Sequence, residues 1–125
     1  MLFKHHQNFI VSKGQKGFTA PDENTVKRLL DAIERDFKDH KSVDYYARQV
    51  NRTAKSLNRL LKRRYETTIY ELVQLRVYRE AVYLLKETSM PVKEISYILG
   101  MSDPPHFTRT FKKAAGLSPQ EFRKL

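Results

Sequence analysis

Four side chains spaced for one helical face carry the clearest chemistry in this sequence. Lys55, Asn58, Arg59 and Lys62 fall at i, i+3, i+4 and i+7, so on a helix they project to one side. Their types matter as much as their spacing. An arginine fork matches the acceptors on a guanine edge, and an asparagine amide matches the donor and acceptor of adenine. The frame returns 50 positions later. Leu57-Asn58-Arg59-Leu60-Leu61-Lys62-Arg63 is answered by Phe107-Thr108-Arg109-Thr110-Phe111-Lys112-Lys113, and Thr68-Ile69-Tyr70-Glu71-Leu72 by Ser118-Pro119-Gln120-Glu121-Phe122. Such an internal repeat is one supersecondary unit used twice, and two basic faces of this kind predict a grip on a long polyanion at two places.

Charge is concentrated where the repeat lies. The chain has 125 residues and a formal net charge of +10. Residues 42–65 hold seven Lys/Arg against Asp44 alone, residues 66–90 are near neutral, and residues 91–125 are basic again around Arg109, Lys112 and Lys113. Two basic clusters about a neutral spacer fit a polyanionic partner better than a merely solvated basic face does. The apolar share of 40% is enough for one core. No apolar run approaches the roughly 18 residues a membrane span needs, the first residues lack a signal-peptide pattern, and there are no cysteines. A cytoplasmic protein without a membrane partner is expected. The sequence holds no Gly-rich phosphate loop, HExxH, nucleophile elbow or CxxC, so neither catalysis, nor a cofactor, nor a small-molecule site is expected. His5 and His6 are adjacent and lack further ligands at metal-like spacing, so no metal site is expected either.

The elements that must position these residues are helical throughout. Residues 1–21 contain Gly14, Gly17 and Pro21 with scattered Phe3, Phe9, Ile10 and Phe18, and read as an arm or interdomain linker. Residues 22–40 place Val26, Leu29, Leu30, Ile33 and Phe37 on one helical stripe. A short helix over 43–50, a break at Asn51-Arg52-Thr53 and a helix over 54–65 form a first helix-turn-helix. Asn51 tolerates a left-handed backbone, and Thr53 is an N-cap. Thr68 and Glu71 predict a capping box for a helix over 68–86, about 28 Å long. Val92, Ile95, Ile98 and Leu99 open a second helix-turn-helix over 92–115, with Gly100 closing its first helix and Asp103-Pro104 starting its second. Ser118-Pro119 and Glu121 repeat the capping box for a last short helix. The expected architecture is all-α: seven helices, with two helix-turn-helix subdomains in residues 22–125 joined by a long linker helix. A connector of that length suits two adjacent major grooves on one duplex face, about 34 Å apart.

From Val26 to Leu125 the chain resembles the DNA-binding domain of the AraC family of bacterial transcription regulators. The motif that carries this runs Val92-x-x-Ile95-x-x-x-x-Gly100-x-x-Asp103-x-x-x-Phe107-x-Arg109-x-Phe111-Lys112-Lys113-x-x-Gly116-x-Ser118-Pro119-x-x-Phe122-Arg123. Arg76, Ala81, Leu84 and Leu85 fit the linker helix, and Ala47, Leu57, Arg59 and Lys62 the first unit. Leu61, Ser96 and Met101 depart from the usual residues as core variations. Glu66 stands where glycine is usual, and Pro105 replaces a small polar residue. The resemblance implies sequence-specific binding of double-stranded DNA, with RNA polymerase as a further partner; the chain is then either the C-terminal part of a longer regulator that dimerises through an N-terminal domain, or a short member that binds as a monomer.

Base contacts are expected from Lys55, Asn58, Arg59, His106, Thr108 and Arg109. Phosphate contacts are expected from Arg52, Thr53, Lys62, Arg63, Lys112 and Lys113, and from the helix starts at Thr68 and Ser118. Asn58 and Arg59 against Pro105 and Thr108 make the first unit the more sequence-restricted reader. The rival is an architectural protein that coats DNA by charge alone, which the asymmetry of the stripes argues against. Tyr45, Tyr46, Tyr78 and Tyr83 have the faces to stack on bases, but their helical positions predict partly buried packing.

Overall fold

Capping side chains set where most elements of this fold begin. The computed structural model describes residues 19–125, which form α1 (Ala20–Asp36), α2 (Val43–Gln49), α3 (Ala54–Tyr65), α4 (Ile69–Glu87), α5 (Val92–Ile98), α6 (Pro104–Ala115) and α7 (Pro119–Arg123). Seven helices and no strand occur among the described residues, as expected of an all-α chain. Most of the expected arm, with His5 and His6, lies outside the described residues. Helix α1 starts two residues before the expected Asp22. Thr19 and Asp22 close a capping box, and Pro21 sits within the first turn, where a missing N–H costs nothing.

The chain divides into two compact units, one ending at Leu75 and the other running Arg76–Leu125. In the first, Val26, Leu29 and Ile33 of α1, Phe37 at its C-cap, Tyr46 and Ala47 of α2, and Leu57, Leu60 and Leu61 of α3 are buried with Ile69, Leu72 and Val73. Arg64, on the apolar side of α3, is also buried. The Tyr45 hydroxyl donates to Asp36 Oδ2 at 2.7 Å while its ring stacks on His40 at 3.8 Å. The buried Tyr46 donates to the His40 carbonyl at 2.6 Å.

The second unit buries Ala81, Leu84 and Leu85 of α4, Ile95 and Leu99, and Phe107 and Phe111 of α6. Tyr78 stacks on Phe111 at 5.2 Å, and Phe122 meets it edge-on at 5.4 Å. Tyr83 departs from the expected packing role and is 56% exposed. Arg123 donates to the carbonyls of Leu85, Leu84 and Thr88 at the end of α4. This places a cation where the helix dipole is negative.

The turns inside the two units share one bonding scheme. Asn51 N–H bonds Arg48 O and Arg52 N–H bonds Ala47 O. Likewise Gly100 N–H bonds Tyr97 O and Met101 N–H bonds Ser96 O. This is a Schellman closure, with Asn51 at φ 57 and Gly100 at φ 76. The corresponding residues are therefore 49 apart up to Arg52 and Met101, and 50 apart from Thr53 and Asp103 onward. Ser102 is one extra residue in the second turn. There Ser96, fully buried where the first unit has Ala47, donates to the Met101 carbonyl at 2.7 Å. Leu61 is fully buried and Met101 half-buried, so these two variants lie in or beside the core.

Both α3 and α6 end on a left-handed residue, Glu66 at φ 55 and Gly116 at φ 82. A side chain in that region is strained, and glycine is not. Glu66→Gly is therefore expected to stabilise the domain by about 1 kcal/mol, read as a higher thermal midpoint with unchanged circular dichroism.

Candidate nucleic-acid interface

Helix α3 separates its residues cleanly by face. Leu57, Leu60, Leu61 and Arg64 are buried, while Lys55, Arg59, Lys62 and Arg63 are exposed. The helix contains no acidic residue. Thr53 caps it by accepting from Ser56 N–H at 3.1 Å. Helix α6 repeats the division. Phe107 and Phe111 are buried, Thr108 is half-buried, and His106, Arg109, Lys112 and Lys113 are exposed. It too has no acidic residue. Asp103 caps it through His106 N–H at 3.3 Å, with Pro104 and Pro105 in its first turn. Each unit thus offers solvent a continuous basic face on the second helix of a helix-turn-helix.

Several expected contact residues have partners within the chain. Arg52 donates to Asp22 Oδ1 at 3.1 Å, which ties the first turn to the start of α1. Asn58 is half-buried, and its Oδ1 accepts from the backbone N–H of Ile69 at 2.9 Å. The Thr68 hydroxyl accepts from Glu71 N–H at 3.2 Å and donates to Glu71 Oε1 at 3.3 Å. The expected capping box is thus met by a hydroxyl–carboxylate contact. Ser118 and Glu121 form the full reciprocal box at 2.9 and 3.1 Å. The pairings of Arg52 with Asp22 and of Asn58 with Ile69 are what sequence spacing did not reveal. The partners are 30 and 11 positions apart, beyond the reach of a local motif.

Hydrogen bonds favour the ionised form of three carboxylates, two at helix starts and one, Asp36, at the end of α1. Burial alone would raise the Asp22 carboxyl, but hydrogen bonds from Thr19 and Arg52 outweigh it and hold the group below its ordinary value. Hydrogen bonds from Ser118 lower Glu121, and the Tyr45 hydroxyl, with Arg35, lowers Asp36. Among the described residues no group of three or more His, Cys, Asp or Glu is placed to hold a metal, and no helix is long and apolar enough to cross a membrane.

The fold and its two basic faces define a tandem helix-turn-helix domain. Residues 46–125 match the profile of a helix-turn-helix domain family of AraC type. The chain is 33% identical over 99 residues to the ornithine utilization regulator of Pseudomonas aeruginosa, covering 79% of this chain and 28% of that protein. It is 30% identical over 105 residues to the transcriptional activator RhaS of Escherichia coli, covering 82% and 38%. It superposes on a Chromobacterium violaceum transcriptional regulator of the AraC-type DNA-binding class with a TM-score of 0.75 at 24% identity, covering 85% and 95%. This chain belongs to the AraC family, as a DNA-binding helix-turn-helix domain of its transcription regulators. It spans between a quarter and two-fifths of the length of the two curated relatives.

Native carboxylates lowered below their unfolded values contribute stability above the unfolded pKa and lose it as the pH falls through the native one. The thermal midpoint is therefore expected to drop as the pH falls below about 4. An Asp22→Asn variant should start lower near neutrality and fall less steeply. A wild-type midpoint independent of pH in that window would contradict the assigned hydrogen bonds.

Proposed function

We propose that this domain binds specific double-stranded DNA sites by laying α3 and α6 in two adjacent major-groove segments, as the reading module of a transcription regulator. The observation that carries this is the paired arrangement. Two second helices of helix-turn-helix units each expose Arg and Lys on one face, carry no acid, and are held by buried apolar residues on the other. Arg59 and Arg109 are the guanine-reading side chains, with Lys55, His106 and Thr108 beside them. Lys62, Arg63, Lys112 and Lys113, further along each helix, fit phosphates and fix register. Thr53 and Ser118 also fit phosphates through the helix starts they cap, as does Thr68. Arg52 joins that set by exchanging Asp22 for a phosphate. The role is binding and not catalysis, set in the cytoplasm, with RNA polymerase as the downstream partner. Dimerisation belongs to a further domain such as the longer curated relatives have room for. Residues 19–125, from the cap of α1 onward, are the DNA-binding domain, and the segment before them is an arm or a connection to that further domain.

Affinity for the selected site should exceed that for random duplex by at least about a thousandfold near physiological salt. Arg59→Ala is expected to cost roughly 1–3 kcal/mol and to relax preference at one base pair, whereas Lys112→Ala should weaken all sequences alike and reduce the salt dependence. Binding selections on both variants check this, and intact base preference in Arg59→Ala would displace α3 from the groove.

Because each chain carries both units, a monomer should protect two groove segments. Hydroxyl-radical footprinting at protein concentrations that give a one-to-one complex reads this directly. A single protected segment would mean that one unit alone engages DNA. Equal competition by random duplex would instead favour an architectural protein.

A further inference from the structure

The two units treat one position of the repeat differently, and the difference has a physical cause. Asn58 corresponds to Thr108, Thr68 to Ser118, and Ile69 to Pro119. Ile69 is the first residue of α4 and is fully buried. Its N–H is among the orphan donors at a helix start, and burial keeps water from serving it. Asn58 Oδ1, reaching across from α3, supplies the acceptor at 2.9 Å. In the second unit the first residue of α7 is Pro119, fully buried in its turn. Proline has no N–H, so nothing there calls for an acceptor, and the corresponding place on α6 holds Thr108. The amide acceptor is present in the unit that has the donor, and the unit without the donor carries a shorter threonine hydroxyl in its place.

An amide that reads adenine uses its oxygen and its nitrogen together. Asn58 has turned its oxygen to Ile69, and turning it to a base would leave a buried N–H without a partner. Resting on the DNA-binding reading above, we propose that Asn58 is a positioning residue. It locks the recognition helix α3 to the start of α4, and the base reader at this step of the repeat is Thr108. The first unit then reads through Lys55 and Arg59 and the second through Thr108 and Arg109. The two halves of the site become comparably restricted, which reverses the expectation drawn from Asn58.

The test combines amide NMR of the whole chain with binding selections. Asn58→Ala should shift the Ile69 amide proton upfield and weaken binding to every duplex about tenfold with base preferences unchanged. Asn58→Asp retains the acceptor. It should keep the Ile69 amide near its wild-type position and leave preferences unchanged, whereas an aspartate at a reading position would redirect preference to cytosine. Thr108→Ala should relax preference at one base pair. Ile69→Pro, which installs the second unit's solution in the first, should shrink the cost of Asn58→Ala to below about threefold by removing the donor. If that variant does not fold, the Ile69 amide in the single variants still decides. Relaxed preference in Asn58→Ala, a switch to cytosine in Asn58→Asp, or an Ile69 amide indifferent to both would overturn the assignment. A wild-type chain that prefers no duplex would overturn the DNA reading and the role of Thr108 with it, while the amide shifts would still decide what Asn58 holds.

Discussion

Unpaired backbone groups at helix ends are the constraint on which this fold depends. Each helix leaves four N–H and four C=O groups without intrahelical partners, and seven helices within residues 19–125 multiply that burden. Side chains answer it almost everywhere. Thr19, Ser42, Thr53, Asp103 and Ser118 accept from the third residue of the helix that follows. Asn58 serves Ile69 from another helix, and Arg123 serves the end of α4. Asn51, Glu66, Gly100 and Gly116 adopt left-handed backbones that let the chain bond back on itself. The basic faces of α3 and α6 point outward because their helices are fixed at these ends and buried along the opposite side.

Much of this was legible because caps are local. Thr53, Asp103-Pro104 and the Ser118–Glu121 box act within three residues, and so does the alternation of buried leucines with exposed lysines and arginines along α3. The left-handed Asn51 could be anticipated from its residue type, whereas at Glu66 only the family's usual glycine hinted at such a backbone. The start of α1 was misjudged by two residues, because Pro21 reads as a breaker unless Thr19 is recognised as the cap before it.

What sequence left hidden is pairing through space. Asp22 with Arg52, Asn58 with Ile69 and Arg123 with Leu85 join residues 30, 11 and 38 positions apart, and no periodicity announces them. For the candidate interface the consequence is specific. Charge and spacing identify a face, but not which of its side chains already serve the fold. Arg52, Asn58 and Thr68 all turned out to hold intramolecular partners. Counting the repeat at 50 from the recognition helices likewise concealed the offset of 49 that governs the helices before them.

The extra residue at Ser102 limits how far the two halves are modular. Beyond the turn the buried positions return to register, Leu57 and Leu61 answering Phe107 and Phe111, so the extra residue is absorbed within the turn itself. A chimera that grafted residues 104–115 after the shorter first turn would keep its buried face in register but lose the longer turn that the Ser96 hydroxyl braces. A workable exchange has to carry the whole cassette: the longer turn, the Ser96 hydroxyl that braces it, and the proline that relieves the start of the following helix. The duplication is one of architecture, and each copy has since become a part that fits its own socket.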